Sequence, residues 1–287
     1  MAAISAADDN VILGRRGKTL KRKSEFRMHP AADRRIHLVE ARSNHVFPRH
    51  SHEQYGVGLI YQGAQRSFSG RGMVEAGAGQ IITVNPGEVH DGAPIDDRGR
   101  CWRMIYLDPP FVMEILAGQI DDEVRSAEFI RPVFDGDRYP ALFHRLFLAM
   151  ATPTTSAMPL LRDELLAELL PAAMERRTAA RAVPPPVSMA QAMIDDDPAA
   201  SFTLAELAAV AGLSRFQLLR GFAAALGLTP HAYLIQRRAD LARRLILGGN
   251  SLADAAAASG FADQSHMTRV FIRKYGISPG DYARIRG

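Results

Sequence analysis

The sequence predicts an α+β protein of two domains, in which an N-terminal β-barrel or sandwich with an appended helix pair precedes an all-α domain. Three observations support this prediction: glycine-separated apolar runs over residues 36–108, a helical hydrophobic period after residue 140, and three consecutive prolines at 184–186. The chain has 287 residues. That is about twice the length of a common domain, so two hydrophobic cores are expected.

The composition is that of a globular protein and excludes several classes. Hydrophobic residues make up 47% and charged residues 23% of the chain, which excludes a disordered, collagenous or coiled-coil protein. No apolar run approaches the ~18 residues of a membrane helix, so we expect no membrane contact. Because Cys101 is the single cysteine, a disulfide framework and a multi-cysteine zinc site are excluded, and a cytoplasmic location is expected.

Charge is distributed unevenly along the chain. Residues 29–200 contain 17 Lys/Arg and 23 Asp/Glu, a net charge of −6, whereas residues 201–287 contain 11 and 5, a net charge of +6. A basic module joined to an acidic one indicates that the C-terminal domain meets a polyanion. Residues 1–28 add seven Lys/Arg against three Asp/Glu. We interpret them as a flexible basic tail, or alternatively as an extension upstream of a natural start at Met28.

Five strands are predicted in the N-terminal half, at residues 36–41, 56–61, 65–69, 80–84 and 101–107. Short strands at such spacing are typical of a sandwich or small barrel. Beyond them, Leu142, Leu146 and Met150 recur at four-residue steps, and a second leucine stripe occupies residues 160–170. This amphipathic helix pair either packs on its own barrel or forms a dimer contact, and both alternatives stay open.

The clearest domain boundary is the triple proline. Consecutive prolines cannot continue a helix and stiffen the chain, so residues 183–188 are predicted to form an extended linker. Residues 29–182 then form the first domain, and residues 189–287 form a helical second domain.

The second domain contains an internal repeat at an offset of 48 to 49 residues. In each copy a side-chain oxygen caps a short helix, a glycine makes a tight turn, and a second helix is capped and then ended by another glycine. The positions that carry this pattern are Thr203, Gly212, Ser214 and Gly227 in the first copy and Ser251, Gly260, Asp263 and Gly276 in the second. The repeat therefore predicts two helix-turn-helix units.

In such a unit the second helix lies in the DNA major groove with its N-terminal residues at base edges. The pairs Leu218/Phe222 and Met267/Phe271 are predicted to face the core. The candidate DNA-binding residues on the other faces are Arg215, Phe216, Gln217, Leu219, Arg220, Gln264, Ser265, His266 and Arg269. Arginine can bind guanine, and glutamine adenine, through two hydrogen bonds.

A single helix of 18 residues is predicted between the copies, at residues 230–247. At ~1.5 Å per residue it is about 27 Å long, which is close to the ~34 Å between successive major grooves on one face of DNA. Its arginines at positions 237, 238, 243 and 244 would either approach phosphates or remain solvated.

Residues 204–286, and above all GFADQSHMTRVFIRKYGISPGDYAR, resemble the DNA-binding domain of the AraC/XylS family of bacterial transcription regulators. The residues for which this resemblance implies base contacts are Phe216, Leu219, Arg220, Gln264, Ser265 and Arg269. Leu219 replaces a position that is often polar in the family, which favours contact with a thymine methyl group over a hydrogen bond.

Three histidines in the first domain form a second candidate site. His50 and His52 are two residues apart and share one face of a strand, and with His90 they could bind a divalent metal ion. This arrangement resembles the cupin motifs, and residues 36–110 resemble the cupin-like sensor domain of AraC-type regulators. The glutamate of metal-binding cupins is missing, and Glu53 would point to the opposite face. We therefore expect no metal and no cofactor, and the residues to which we assign effector binding are His50, His52, Tyr55, His90 and Trp102.

Together these features predict a sequence-specific transcription regulator and not an enzyme. A small-molecule effector in the cupin-like barrel would control promoter binding or activation. The expected partners are double-stranded DNA, the effector, a second copy of the chain and, if the protein is an activator, RNA polymerase. The alternative is a metal-dependent cupin enzyme fused to a DNA-binding domain.

Overall fold

The computed structural model of the protein describes residues 24–31, 33–117, 126–152, 158–177 and 183–284. Most of the predicted basic tail, residues 1–23, lies outside the described residues. The end of that segment does not match the prediction of a flexible tail, because Glu25–His29 forms a strand that pairs with residues 38–42. No helix in the described part of the chain is long and apolar enough to span a membrane.

The first domain is rich in short antiparallel strands. They are β1 (Glu25–His29), β2 (Ile36–Ser43), β3 (Phe47–His50), β4 (Tyr55–Gln62), β5 (Ala64–Ser69), β6 (Gly72–Gly77), β7 (Ile81–Val84), β8 (His90–Pro94), β9 (Arg100–Leu107), β10 (Ser126–Phe129), β11 (Val133–Phe134) and β12 (Met174–Arg177). The largest sheet has the order β1-β2-β9-β4-β7-β11, the second has the order β3-β8-β5-β6, and β10 pairs with β12.

All five predicted strands are present, as β2, β4, β5, β7 and β9, with bounds within two residues of the prediction. β3 and β8 are not among these five, and both carry histidines of the candidate site. The strand expected to hold His50 and His52 ends at His50, so His52 lies outside it. Pro48 in β3, and Gly92 and Pro94 in β8, interrupt the apolar alternation by which a strand is recognised.

Side chains of the two larger sheets meet in one apolar cluster. Trp102 and Ile60 of the larger sheet share this buried cluster with Ala76 of β6. Successive strand residues face opposite sides, and Arg103 accordingly points away from Trp102, with its guanidinium 5.0 Å from the ring centre of Phe147. Two facing sheets with a shared core give the cupin-like architecture that the sequence predicts.

Helices cover the other face of the larger sheet. They are α1 (Pro109–Ala117), α2 (Tyr139–Ala151) and α3 (Met158–Ala173). The leucine stripes form their buried faces, since Leu142, Leu146, Leu166 and Leu169 are at most 5% exposed and share a core with the sheet. The stripes thus pack on the chain's own sheet. Leu160 is the exception in the second stripe, because it is 67% exposed.

The second domain is helical. Its helices are α4 (Pro185–Asp196), α5 (Leu204–Val210), α6 (Arg215–Leu226), α7 (Pro230–Leu247), α8 (Leu252–Ala258), α9 (Gln264–Tyr275) and α10 (Pro279–Arg284). The predicted linker at residues 183–188 is wrong from Pro185 onward, because Pro185 and Pro186 form the first turn of α4. Proline fits there, since first-turn amides need no partner within the helix. Val187 and Ile194 then bury α4 in the core of the first helix-turn-helix unit.

The repeat folds as two helix-turn-helix units, α5–α6 and α8–α9, joined by the 18 residues of α7. The predicted caps are formed by side chains that each accept a hydrogen bond from the amide three residues on, those of Thr203, Ser214, Ser251 and Asp263. Full burial is found for the predicted core residues Leu218, Phe222, Met267 and Phe271. Local signals therefore placed both units correctly.

Candidate functional site

The first recognition helix, α6, exposes most of the predicted DNA-binding side chains. Phe216 is 66% exposed, Arg215 and Arg220 are exposed, and Leu219 is half-buried. The Arg220 guanidinium lies 5.5 Å from the centre of the Phe216 ring. A cation and an aromatic ring held together in this way can contact phosphates and base faces.

Gln217 is exposed on α6, and its side chain also caps the start of that helix. Its Oε1 accepts a hydrogen bond from the Ser214 amide at 2.9 Å and completes the capping box of α6. Bidentate recognition of adenine requires both the amide oxygen and the amide nitrogen of glutamine. The cap occupies one of the two lone pairs of Oε1, so Gln217 orders the start of α6 while its Nε2 and a second lone pair stay available to a base.

The second recognition helix, α9, presents Gln264, Ser265 and Arg269 to solvent. His266 differs from the prediction of a freely available residue. It is half-buried, and its ring packs edge-on against Phe261 with 5.2 Å between ring centres.

The α7 arginines form ion pairs and hydrogen bonds within the protein, and only Arg244 is also exposed, as the solvated alternative expected. Glu53 accepts hydrogen bonds from Arg237 at 2.6 Å and from Arg244 at 2.8 Å, and Arg243 lies 3.9 Å from the same carboxylate. Arg238 donates to the carbonyl oxygens of residues 198 and 200. These arginines therefore hold α7 against the first domain and the preceding loop, and among them Arg244 is also 46% exposed to solvent. His52 and Glu53 lie beyond the end of β3, and both line one cavity, so strand alternation does not describe their relationship.

A cavity of about 140 Å³ lies between the two sheets and the helical domain. From the first domain its lining includes His50, His52, His90, Arg100, Trp102 and Tyr106, and from the second it includes Asp240, Arg243, Lys274 and Tyr275. Four of the five predicted effector residues are therefore brought together. Tyr55 is not among them: its hydroxyl donates to the carbonyl oxygen of Ala127 at 2.6 Å, within the core under the helices. Its position along β4 sends the side chain to the opposite face of the sheet.

The three histidines form a compact cluster on one wall. Their ring centres are 4.4 to 5.1 Å apart, and one ring nitrogen from each lies within 4.8 Å of the others. The Nδ1 atoms of His50 and His90 lie 2.7 and 3.0 Å from the carbonyl oxygens of Pro48 and Glu88. A carbonyl oxygen only accepts, so both Nδ1 atoms carry the hydrogen. Burial lowers the pKa of all three imidazoles, which are therefore neutral at neutral pH.

Arg100 is a buried cation that the sequence analysis did not single out. It is 3% exposed, and its guanidinium lies 4.5 Å from the centre of the Trp102 ring. No carboxylate of the described residues pairs with it, and its Nε has no hydrogen-bond partner there. Burial lowers the pKa of Arg100 to about 10, so it remains charged at neutral pH.

Lys274 and Asp240 form the opposite wall. Lys274 Nζ lies 2.6 Å from Asp240 Oδ1, and the Tyr275 hydroxyl donates to the same oxygen at 2.7 Å. The sequence held a signal for Lys274, because it continues the buried stripe of Met267 and Phe271 at helical spacing. A lysine on the apolar face of a helix requires a buried partner.

Both recognition helices end against the first domain. Gly276, at φ +76°, stands so close to Phe26 that an added Cβ would lie 2.6 Å from its ring, and at Gly227, with φ +71°, an added Cβ would lie 3.3 Å from Val89. At both positions glycine is needed for two reasons: it adopts the left-handed conformation that ends the helix, and it lacks the Cβ that would crowd the first domain.

Two known protein-family models match the chain, one in each of its two domains. The model of the AraC-like ligand binding domain matches residues 36–170, and that of a helix-turn-helix domain matches residues 207–285. The chain belongs to the AraC family of transcription regulators. The family carries a ligand-binding domain and a helix-turn-helix domain, so the predicted class of function is confirmed, and the fused-enzyme alternative is not favoured.

Among AraC-family relatives, the uncharacterised helix-turn-helix regulator YbfI of Bacillus subtilis is 28% identical over 227 residues, covering 77% of this chain and 81% of that protein. The transcriptional activator NphR of a Rhodococcus species is 41% identical over 86 residues, covering 30% of this chain and 25% of that protein. Relatives such as NphR therefore match over only part of their length.

Solved structures of ToxT from Vibrio cholerae share the two-domain fold. An apo form of a ToxT point variant has a TM-score of 0.60 at 10% identity and covers 90% of this chain and 100% of that chain. ToxT bound to an unsaturated fatty acid has a TM-score of 0.56 at 10% identity and covers 93% and 98%. At this identity the likeness concerns the fold alone.

Proposed function

We propose that the interdomain cavity is the effector site of this regulator, and that its occupant controls how α6 and α9 meet double-stranded DNA. One observation carries the proposal: Lys274 and Tyr275, which line the cavity, lie at the end of the same helix whose N-terminal half exposes Gln264, Ser265 and Arg269. A ligand that contacts this end of α9 acts directly on a DNA-reading element.

The proposed mechanism is a shift between arrangements of the two domains. An occupant that contacts the histidine wall and the Lys274 wall together stabilises the arrangement in which both walls are in place. A ligand shifts such an equilibrium only as far as its affinities for the two arrangements differ. The Glu53 contacts with Arg237 and Arg244 favour the same arrangement.

The chemistry of the cavity favours a small organic anion with an apolar body. Trp102 and Tyr106 supply aromatic surface, and Arg100 supplies a buried positive charge without an acidic partner among the described residues. A volume of about 140 Å³ is close to that of a ~150 Å³ engineered cavity that holds benzene. ToxT, which shares the fold, has been solved with an unsaturated fatty acid. An organic acid is therefore the class we assign to the effector.

The proposal extends to the other partners. We assign base contacts to Phe216, Arg220, Gln264, Ser265 and Arg269, and we keep a second copy of the chain and RNA polymerase as expected partners in the cytoplasm. Residues available for a dimer contact on the helix pair are Leu148 and Leu160, which are 46% and 67% exposed. We assign no enzymatic reaction to the chain.

The experiment is a titration of the full chain onto a labelled duplex from upstream of its own gene, followed by fluorescence anisotropy. Binding should weaken steeply with salt, because phosphate contacts release counterions. Benzoate and short aliphatic carboxylates are then added. At least one acid should change the affinity about fivefold or more, the lower range of allosteric coupling. Arg100→Gln should keep DNA binding and lose this response, while Arg98→Gln, at an exposed site, should keep both. An equal response in both variants would refute the assignment of the acid to Arg100.

A further inference from the structure

We propose that the β7–β8 loop, residues 85–89, couples the interdomain cavity to the first recognition helix, α6, through the contact of Val89 with the end of that helix. The proposal concerns the regulation of the effector site and rests on the proposed function. A ligand in the cavity then acts on α6 as well as on α9, whose end it reaches through Lys274 and Tyr275.

Hydrogen bonds to neighbouring segments hold the β7–β8 loop in one shape. The Glu88 carboxylate accepts hydrogen bonds from the Asn85 amide at 3.2 Å and from the Gly70 amide at 3.1 Å. The Asn85 side chain accepts a hydrogen bond from the Phe129 amide at 2.7 Å and donates one to the Phe129 carbonyl oxygen at 3.2 Å. A loop that is fixed in this way to β10 and to the β5–β6 turn moves as a unit.

One side of this loop belongs to the cavity wall. Val84, which precedes the loop, Glu88 within it and His90, which follows it, all line the cavity. The Gly87 amide donates a hydrogen bond at 2.7 Å to the carbonyl oxygen of His52, another lining residue. A ligand that fills the cavity therefore packs against the loop and against the segment bonded to it.

The other side of the loop belongs to the second domain. Val89 packs against the buried core of the first helix-turn-helix unit, and among the described residues it is the one first-domain residue that does so. An added Cβ at Gly227, the residue that ends α6, would lie 3.3 Å from both the Cβ and the Cγ1 of Val89. Densely packed interiors transmit small displacements, so a shift of Val89 displaces the C-terminal end of α6.

A displacement at this end of α6 reaches its DNA-reading end. The helix has 12 residues and is about 18 Å long at ~1.5 Å per residue, and a hydrogen-bonded helix of this length moves as one body. Its N-terminal half carries Phe216 and Arg220, to which we assign base contacts. The two recognition helices thus have separate contacts with the first domain, Val89 for α6 and Phe26 for α9.

The test measures hydrogen exchange of the full chain with and without the duplex from upstream of its own gene, and no organic acid is present. Coupling between two sites is reciprocal, so if the cavity wall acts on α6 through Val89, DNA bound to α6 must act on the loop. We expect the amides of residues 85–90 to exchange at least about fivefold more slowly with DNA bound, the lower range of such coupling. Residues 274–278, at the end of α9, should also respond, whereas residues 72–77 in β6 should not.

Val89→Ala removes the two methyl groups that make the contact and leaves the hydrogen bonds of the loop in place. This variant should still bind the duplex and should lose the change at residues 85–90, while the change at residues 274–278 persists. The matched control is Val46→Ala, at a side chain that is 58% exposed, which should behave like the unaltered chain. Circular dichroism checks that both variants are folded.

Unchanged exchange of the loop in the DNA-bound, unaltered chain would overturn the coupling, and that measurement does not depend on the folding of a variant. A change that persists in folded Val89→Ala, or that disappears together with the change at residues 274–278, would also overturn it, because neither result assigns the coupling to Val89. Benzoate and the short aliphatic carboxylates then separate the two proposals. If no acid alters DNA affinity but DNA slows exchange of the loop, the effector proposal fails and the coupling stands; if an acid alters DNA affinity and the loop does not respond to DNA, the reverse holds.

Discussion

Lys274 Nζ lies 2.6 Å from Asp240 Oδ1, and this buried ion pair joins the second recognition helix to the long connecting helix at the wall of the interdomain cavity. The two side chains are 2% and 5% exposed. The pair links the DNA-reading surface of α9 to the space that we assign to the effector.

Removing one partner of this pair should be strongly destabilising. Lys274→Met leaves the buried Asp240 with the Tyr275 hydroxyl and with Arg237, whose guanidinium lies 3.8 Å from Oδ2. Breaking a buried pair costs about 3–5 kcal/mol of unfolding free energy, and because Arg237 remains we expect a loss toward the lower end of that range. Urea denaturation measures the loss. The matched control is Arg284→Ala, which breaks an exposed pair with Asp281 and should cost under about 1 kcal/mol. Equal losses in the two variants would show that the Lys274 pair does not stabilise the fold.

Glu53 should hold the two domains together only while it is ionised. Burial raises the pKa of Glu53, but Arg237 and Arg244 outweigh burial and keep it below 4.5. A lowered folded-state pKa means that the stabilisation is complete above about pH 4.5 and is lost as the pH falls through the lower, folded value. Glu53→Gln should therefore lower the melting temperature at pH 7 and differ little from the unaltered chain in strong acid.

Hydrogen exchange provides the local readout for the same variant. Amides of α7 and β3 should exchange faster in Glu53→Gln if the contact holds the domains together. Glu114→Gln serves as the control, since Glu114 pairs with Arg35 on the surface of the first domain. Unchanged exchange in α7 would contradict the proposed role of Glu53.

Arg269 should contribute to sequence-specific DNA binding. It is exposed on α9, one turn after Ser265, where an arginine can pair with guanine. We expect Arg269→Ala to weaken binding to the specific site by about 1–3 kcal/mol, or about 5- to 150-fold, and to relax the preference at one base pair. Arg98→Ala, whose side chain is 89% exposed in the first domain, should change neither value. Competition binding with single-base variants of the site separates lost specificity from lost phosphate contact.

Gly276→Ala should lower the free energy of unfolding more than Gly249→Ala does, although both glycines have a positive φ. Alanine at either Gly276 or Gly249 incurs about 1–2 kcal/mol for a left-handed conformation. At Gly249, with φ +91°, the added Cβ meets nothing within 4 Å, whereas at Gly276 it meets the Phe26 ring. Denaturant unfolding should thus show a larger loss for Gly276→Ala. The excess should shrink in a Phe26→Leu background, and an excess of the same size there would argue against the Phe26 contact.

The sequence alone determined the DNA-reading half of this protein. Caps such as Ser214 and Asp263, the glycines that end α6 and α9, and the buried stripe of each helix depend on neighbours within about four residues. For the same reason the five most regular strands were predictable. The expected strand through His50 and His52 was only half correct, because β3 ends at His50 and His52 lies beyond it.

Only the tertiary structure decided which surfaces meet. Glu53 and Arg244 are far apart in the chain, and Arg100 and Lys274 belong to different domains, so no local period relates them. From the sequence, the α7 arginines were predicted to contact phosphates or to be solvated. Their contact with Glu53 was not predicted, because the docking of α7 onto the first domain depends on the shapes and charges of two complete domains. The interdomain cavity exists only where those domains meet, and for that physical reason its second wall could not be predicted from the sequence.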